Sequence, residues 1–302
     1  MTQGIRLRRL LDVPAPAKLN LFLHITGRRE DGYHLLQSVF MLIDWCDRLH
    51  FELRTGGHIS REDLTAGSLP TDDLSVRAAR ALQAATGCSH GVHIALEKNL
   101  PAEAGLGGGS SDAATTLLAL NRLWGLGLTR PQLSTIGLTL GADVPFFIGG
   151  RHAWVEGVGE RLTPLALPTA RFVVVKPPAG ASTQRIFSAP ELKRDTGTAT
   201  IQGFAVNDPR GDARATEVAD LQKILAFGRN DLQAVAQALC PDVGRCIQWL
   251  QSQGLQGRMT GSGTAVFAQI TQAMQLTTAP SDWTVRECSN MDAHPLLDWC
   301  SD

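Results

Sequence analysis

The segment Leu100-Pro101-Ala102-Glu103-Ala104-Gly105-Leu106-Gly107-Gly108-Gly109-Ser110-Ser111 governs how the rest of the chain is read. Its glycines permit positive φ and let a ligand approach the main chain closely. Behind it, Ala113, Leu117, Leu120 and Trp124 recur at helical spacing, so the loop feeds a helix N-terminus. Such a terminus offers unpaired N–H donors and the positive end of the helix dipole. In front of it, Val92 to Leu96 reads as a strand that runs out before Pro101. Strand, glycine loop and apolar helix in that order predict a phosphate cradle rather than a plain packing turn. Two commoner nucleotide fingerprints are absent: there is no Gly-x-x-x-x-Gly-Lys-Ser/Thr run, and Ser110 stands where the last glycine of a dinucleotide motif would fall.

The composition narrows what such a cradle can serve. Of 302 residues, 43% are hydrophobic and 19% charged, which excludes a disordered chain and suits a globular one. Lys plus Arg number 28 against 29 Asp plus Glu, so no overall positive field exists to hold a nucleic acid backbone, and an anion has to be met at a local site. No apolar run reaches the roughly 18 to 20 residues of a membrane span; the stretch from Gly141 to Gly150 is interrupted by Asp143. Met1 to Leu11 carries Arg6, Arg8 and Arg9 without the apolar core of a secretory signal, and is expected to be a short extension before the first strand. The cysteines (Cys46, Cys88, Cys240, Cys246, Cys288, Cys300) lack CxxC or zinc-site spacing and are expected to be free thiols in a reducing cytoplasm.

At about 150 residues per domain the length predicts two units, divided here as residues 1–168 and 169–302. The first opens with strands. Leu19, Leu21, Leu23 and Ile25 alternate with Lys18, Asn20, Phe22 and His24, and after a turn at Gly27 to Gly32 two further strands are expected, Leu35 to Trp45 and Arg48 to Leu53. Asp72 and Asp73 can cap a helix to about Ala85, and Thr129 with Pro131 starts another to about Leu140. Gly149-Gly150 separates the Asp143 to Ile148 segment from a hairpin through Val155. In the second unit Arg171 to Lys176 reads as a strand, Asp195 to Thr216 as a surface loop, then two helices, then a strand ending at Ile270 after a glycine-containing turn.

Four further features can carry chemistry. Lys18 and Asn20 lie two apart on one strand and so face the same way, able to touch one ligand. Asp143 sits in the apolar Gly141-Ala142-Asp143-Val144-Pro145 turn, where a carboxylate needs donors or a cation; a turn or helix-cap role is the alternative. Tyr33, the single tyrosine, can stack on a planar base, and the adjacent His34 can bond to a base edge, though Tyr-His after a glycine also simply starts a strand. The Thr260-Gly261-Ser262-Gly263-Thr264 turn can admit a phosphate or another chain segment.

Three separated motifs, Pro16-Ala17-Lys18-Leu19-Asn20-Leu21, Pro101 through Ser111 and Met259 through Ala268, resemble the GHMP kinase superfamily, and their order spans most of the chain. Gly32-Tyr33-His34 and the Asp143 turn narrow the resemblance to the branch whose acceptor carries a cytidine diphosphate group. The resemblance implies an α+β, two-domain GHMP kinase fold, with an N-terminal ribosomal protein S5 domain 2-like unit, a C-terminal α+β domain and a cleft between them for ATP and substrate. It implies transfer of the γ-phosphate of ATP, with Mg²⁺, to the 2-hydroxyl of a methylerythritol moiety on the route to isoprenoid precursors. The expected protein is a cytoplasmic enzyme, a monomer or weak homodimer, with no nucleic acid or membrane partner.

Residue by residue, the resemblance makes Lys18 and Asp143 catalytic, Asn20, Tyr33, His34, Thr183 and Phe187 substrate-binding, and Phe187 the second aromatic of a cytosine sandwich. Lys98, Pro101, Gly105, Leu106, Gly107, Gly108, Gly109, Ser110 and Ser111 fall on the ATP side, with Ser111 the candidate for a metal ligand. Glu103 and Asp73 depart from the family pattern, which usually has a small residue and Asn there. Phosphoryl transfer asks for alignment and charge stabilisation, so Asp143 is expected to take the hydroxyl proton and Lys18 to offset developing charge. The rivals are a kinase of the same superfamily for another acceptor, such as homoserine, and a non-catalytic nucleotide sensor. A serine hydrolase on Ser110 or Ser262 is weaker, because neither lies in Gly-x-Ser-x-Gly.

Overall fold

The computed structural model describes residues 7–65, 69–206, 218–271 and 274–302. Two long strands, β1 (Arg9–Arg28) and β2 (His34–Arg54), pair antiparallel from Arg9 opposite Glu52 to Arg28 opposite His34. Of the expected N-terminal extension, residues 1–6 lie outside the described residues, and pairing has already begun at Arg9. β2 is one strand where two were expected. Asp47, in the gap between the two expected strands, is fully buried and accepts from the backbone N–H groups of Asn99 (2.6 Å) and Leu100 (2.7 Å), so its charge is satisfied inside the fold.

The first sheet adds β3 (Ile59–Asp63) and β4 (Gly91–Glu97) beside the far half of β2, and the hairpin of β5 (Ala153–Glu156) and β6 (Arg161–Pro164) beside its near half. On one face lie α1 (Leu74–Thr86), α2 (Gly108–Trp124), α3 (Arg130–Leu138) and α4 (Val144–Gly149), closing a core around Phe40, Phe51, Leu117 and Phe146. Asp73 caps α1 as read, accepting from Val76 N at 3.1 Å, whereas Asp72 pairs with Arg80.

The second sheet is built around β7 (Arg171–Lys176), which keeps its expected bounds; α5 (Thr183–Ser188) follows it. A two-residue pair, β8 (Ala205–Val206) and β9 (Val218–Ala219), stands apart. Three helices follow where two were expected: α6 (Leu221–Phe227), α7 (Gln233–Leu239) and α8 (Pro241–Ser252). β10 (Arg258–Met259), β11 (Val266–Ile270) and β12 (Thr284–Ser289) complete the sheet in the order β10-β11-β7-β12. The predicted 195–216 loop is only partly described, since 207–216 lie outside the described residues. Its described part is pinned, because the buried Gln37 side chain bonds both the N–H (2.8 Å) and the carbonyl (3.0 Å) of Ala199.

The two sheets pack face to face through Leu19, Phe22, Met41, Trp45, Phe172 and Phe267, and α7 and α8 cover the outer face of the second sheet through Val235, Ile247 and Leu250. The alternation along β1 holds for residues 18–21 and then breaks. A bulge between Asn20 and Leu23 puts Phe22 with Leu19 and Leu21, and sends Leu23 and Ile25 into the core of the second unit. The same stretch bonds to the second unit by its other edge: Leu23 N to Arg229 O (2.8 Å), Asp231 N to Leu23 O (2.8 Å) and Ile25 N to Asp231 Oδ2 (2.8 Å). The end of the chain returns to the first unit, where Arg130 donates to the carbonyls of Ile148 and Leu297, both at 2.6 Å.

The turn at 260–264 admits a chain segment. Thr264 N and Ala265 N donate to the carbonyls of Glu103 (3.2 Å) and Ala104 (3.3 Å), and a Cβ on Gly263 would stand 1.9 Å from the Ala104 carbonyl carbon. Gly263→Ala is therefore expected to cost about 1–3 kcal/mol or more and lower the melting temperature by several degrees. Gly197→Ala, with nothing within 4 Å of the new methyl, serves as the control in the same thermal melt; equal melting of the two variants would refute the interlock.

Candidate active site

A cavity of about 1070 Å³ runs between the two units, lined by the glycine loop, the Lys18 face of β1, the Asp143 turn, the β1–β2 turn and α5. That is at the upper end for a single small-molecule site and leaves room for two ligands. Its floor is the loop. Gly107 is the N-cap of α2 at φ 73, in the left-handed region, and a Cβ there would meet Phe147 at 2.9 Å and Lys18 Cε at 3.2 Å. Only glycine lets the loop lie this close to the lysine. The helix then opens with Gly108, Gly109 and Ser110, whose N–H groups have no carbonyl within the helix to bond.

Lys18 and Asp143 meet beside that loop. Lys18 Nζ lies 3.6 Å from Asp143 Oδ2, donates to Asn20 Oδ1, and stands 4.7 Å from the centroid of the Phe40 ring. Its backbone N–H bonds Leu106 O at 2.9 Å, tying β1 to the loop. Burial pulls the Lys18 ammonium below the ordinary lysine range, against the opposing pull of Asp143. Asn20 is held in turn, its backbone N–H on Thr260 Oγ1 (2.9 Å) and its amide on Ser38 Oγ (3.1 Å). Asp143 precedes α4 and caps nothing with its side chain, leaving the carboxylate turned to the cavity.

At the other end, Tyr33 is 64% exposed on the β1–β2 turn. His34 packs on Phe187 with ring centroids 5.1 Å apart, and Thr183 shares a 2.7 Å hydrogen bond with Ser262. Tyr33, His34, Thr183 and Phe187 thus line one end of the cavity, the first pair from the first unit and the second from α5.

Two ATP-side expectations meet a different environment. Lys98 lines the cavity but is already committed, to Asp47 and to Asp112 Oδ2 (2.8 Å). Burial works against its charge, but the two carboxylates and their hydrogen bonds hold it above the usual lysine range. Burial likewise pushes Asp112 up to about 8, against the pull of Lys98. Ser111 does not reach the cavity wall; its hydroxyl is buried behind the loop without a partner among the described residues. Glu103 adopts φ 50 and Asp73 spends its carboxylate on the α1 cap and on Arg61 (2.8 Å), although both border the cavity.

Sequence reasoning missed Asp47, Asp112, Arg194, Asn230 and Asp231. Asn230 donates to Met259 O (2.9 Å) and Gly261 O (2.8 Å), fixing the turn that meets the loop. The signal open to inspection was Asp112 directly after the serines of the loop. Nothing local marks the others, since their partners are far away in sequence. All six cysteines are free, and no metal-binding group of three or more His, Cys, Asp or Glu occurs among the described residues. No helix among them is long and apolar enough to cross a membrane.

Sheet, glycine loop and the paired Lys18 and Asp143 suit a small-molecule phosphotransferase, the class to which the chain's relatives belong. The model of the GHMP kinases N terminal domain matches residues 73–151, and that of the GHMP kinases C terminal domain matches 212–275. A 4-diphosphocytidyl-2-C-methyl-D-erythritol kinase from Polaromonas sp. (strain JS666) is 64% identical over 97% of this chain and 95% of its own. A solved 4-(cytidine 5'-diphospho)-2C-methyl-D-erythritol kinase superposes with a TM-score of 0.69 at 36% identity, covering 87% of this chain and 90% of that one. A homoserine kinase from Cytophaga hutchinsonii shares the fold alone, with a TM-score of 0.66 at 13% identity over 97% and 98% of the two chains. The chain belongs to the GHMP kinases, among the 4-diphosphocytidyl-2-C-methyl-D-erythritol kinases.

Removing the Lys98 cation would leave two carboxylates buried together. Lys98→Met is expected to lose about 3–5 kcal/mol of stability in urea unfolding, the cost of breaking a buried pair. Asp47→Asn with Asp112→Asn in the same chain should recover much of it. A Lys98→Met protein as stable as the parent would show that the cluster is not a structural unit.

Proposed function

We infer that the chain is an ATP-dependent kinase that phosphorylates the 2-hydroxyl of 4-diphosphocytidyl-2-C-methyl-D-erythritol in isoprenoid precursor biosynthesis. The observation that carries the reading is the Lys18–Asp143 pair, 3.6 Å apart, standing between the glycine loop and the aromatic end of one cavity. An acceptor whose base lies at Tyr33, His34 and Phe187 can extend toward Asp143, while the phosphates of ATP lie on the N–H groups of Gly108, Gly109 and Ser110. We place the division between the two units at residues 168 and 169, in the connection from β6 to β7, and the enzyme in the cytoplasm, which suits its free thiols.

Each residue then has a physical task. Asp143 takes the proton of the attacking hydroxyl, as a positioned general base. Lys18, shielded from water and fixed by Asn20, places a positive charge beside the transferred group, where a low dielectric strengthens it. Mg²⁺ would enter on the phosphate oxygens, as it does where a protein offers no cage of its own. Of the hydroxyls on the first turn of α2, Ser110 borders the cavity and is the one that would hold it, whereas Ser111, expected as the ligand, lies buried behind the loop. Bound there, the ion would neutralise charge on the β- and γ-phosphates.

Asp143→Asn should lower kcat by about 10² to 10⁴-fold while ATP binding, followed by calorimetry, stays near that of the parent. Undiminished turnover by a folded variant would remove Asp143 from the mechanism. Tyr33→Ala should cost about 1–3 kcal/mol of stacking, a rise of roughly 5- to 150-fold in KM for the cytidine acceptor with KM for ATP unmoved. Equal weakening of both substrates would place the base elsewhere.

A further inference from the structure

Behind the aromatic end of the cavity, Arg194 Nε donates to His34 Nε2 at 3.0 Å. A guanidinium has donors and no acceptor, so Nε2 of the imidazole must be the bare nitrogen and the proton of the neutral ring must sit on Nδ1. Arg194 is itself held, donating to the carbonyls of Phe187 (3.2 Å), Ala189 (2.7 Å) and Leu192 (2.9 Å). It does not line the cavity, whereas His34 and Phe187 both do. One side chain therefore fixes the backbone of the stacking residue and the hydrogen-bonding sense of the ring packed against it.

We propose that Arg194 is a positioning residue that locks His34 as the Nδ1–H tautomer, so that the imidazole presents a donor to a ring acceptor of the cytosine. The proposal rests on reading this end of the cavity as the cytidine site. The base edge of cytosine carries acceptors at N3 and O2, and a bare Nδ1 would face them lone pair to lone pair. The charged groups acting on His34 are Arg194, from the segment after α5, and Arg28, at the end of β1. Burial first, and these guanidiniums after it, hold the ring below the ordinary histidine range. The ring accordingly stays neutral near pH 7, and its tautomer is what Arg194 controls.

The test uses the full chain, labelled with ¹³C and ¹⁵N at histidine, with the His34 signals assigned by their loss in His34→Asn. In the parent the ring shifts should report a proton on Nδ1. Arg194→Met should move the population toward Nε2–H, and Arg194→Lys, which keeps a cationic donor, should preserve the parent tautomer. A parent ring protonated on Nε2 overturns the proposal. In steady-state assays Arg194→Met should raise KM for the cytidine acceptor about 10-fold at about pH 8, the scale of one lost hydrogen bond, and leave KM for ATP unchanged. Protonation of the ring restores a donor at Nδ1 whatever the tautomer, so the increase should shrink progressively as the assay pH is lowered through the titration of His34. An increase independent of pH and shared by ATP means that Arg194 only holds the segment together, and also overturns the proposal. Absence of turnover of the cytidine acceptor by the parent, with the Nδ1–H form present, would instead count against the functional reading alone.

Discussion

The contact on which the site depends has no side chain in it. The main chain at Ala104 and Gly105 lies directly against the main chain at Thr260 to Gly263, and a Cβ on Gly105 would come within 2.1 Å of the Thr260 carbonyl oxygen. Two glycines, more than 150 residues apart, let two backbones interlock across the boundary between the sheets. Everything around the cavity is registered to that contact. Asn230 holds the second turn by its carbonyls, Thr260 takes the backbone of Asn20, and Leu106 takes the backbone of Lys18. The glycine loop, Lys18 and Asn20 are thus set by one rigid junction rather than by separate loops.

The charges around the cavity obey a similar economy. Lys98 is balanced by two buried carboxylates, and Lys18 is shared between Asp143 and Asn20. On the proposed reading, a triphosphate at the loop would lean on main-chain N–H groups for much of its stabilisation, and those donors carry no desolvation penalty of a full charge. A chain that is nearly neutral overall could in that way still bind a strongly anionic nucleotide. Lys18 is the exception: it is charged and almost completely buried, and an ammonium so placed acts strongly on charge that develops within a few ångströms of it.

What was legible in the sequence was what is decided locally. The glycine loop and the helix after it, the Asp73 cap and the bounds of β7 each follow from residue types within a turn or two of one another. Lys18 and Asp143 were legible as candidates, but not as neighbours. What stayed hidden was fixed across long separations. Asp47 falls in the gap between the two expected strands, and its donors, Asn99 and Leu100, lie more than fifty residues away. The bulge after Asn20 coincides with the stretch where Arg229 to Asp231 take the other edge of β1, and no hydropathy pattern carries that information. Arg194 sits just before the stretch that reads as surface loop, with nothing nearby to show that its partner is His34, 160 positions earlier.

The proposed base site and the proposed phosphate site are mechanically one device. Tyr33 and His34 come from the first unit, Thr183 and Phe187 from the second, so the base pocket exists only while the two units are in register. That register is held by the interlocked turns, and Ser262, within the second turn, bonds Thr183 directly. A shift of the units large enough to separate the aromatic walls would also pull Gly263 off Ala104, and with it the loop that bears the phosphate donors. On the proposed reading, stacking energy gained at one end of the cavity would favour the arrangement that aligns ATP at the other, which is how binding of a remote, unreactive group can be turned to alignment of the reacting atoms.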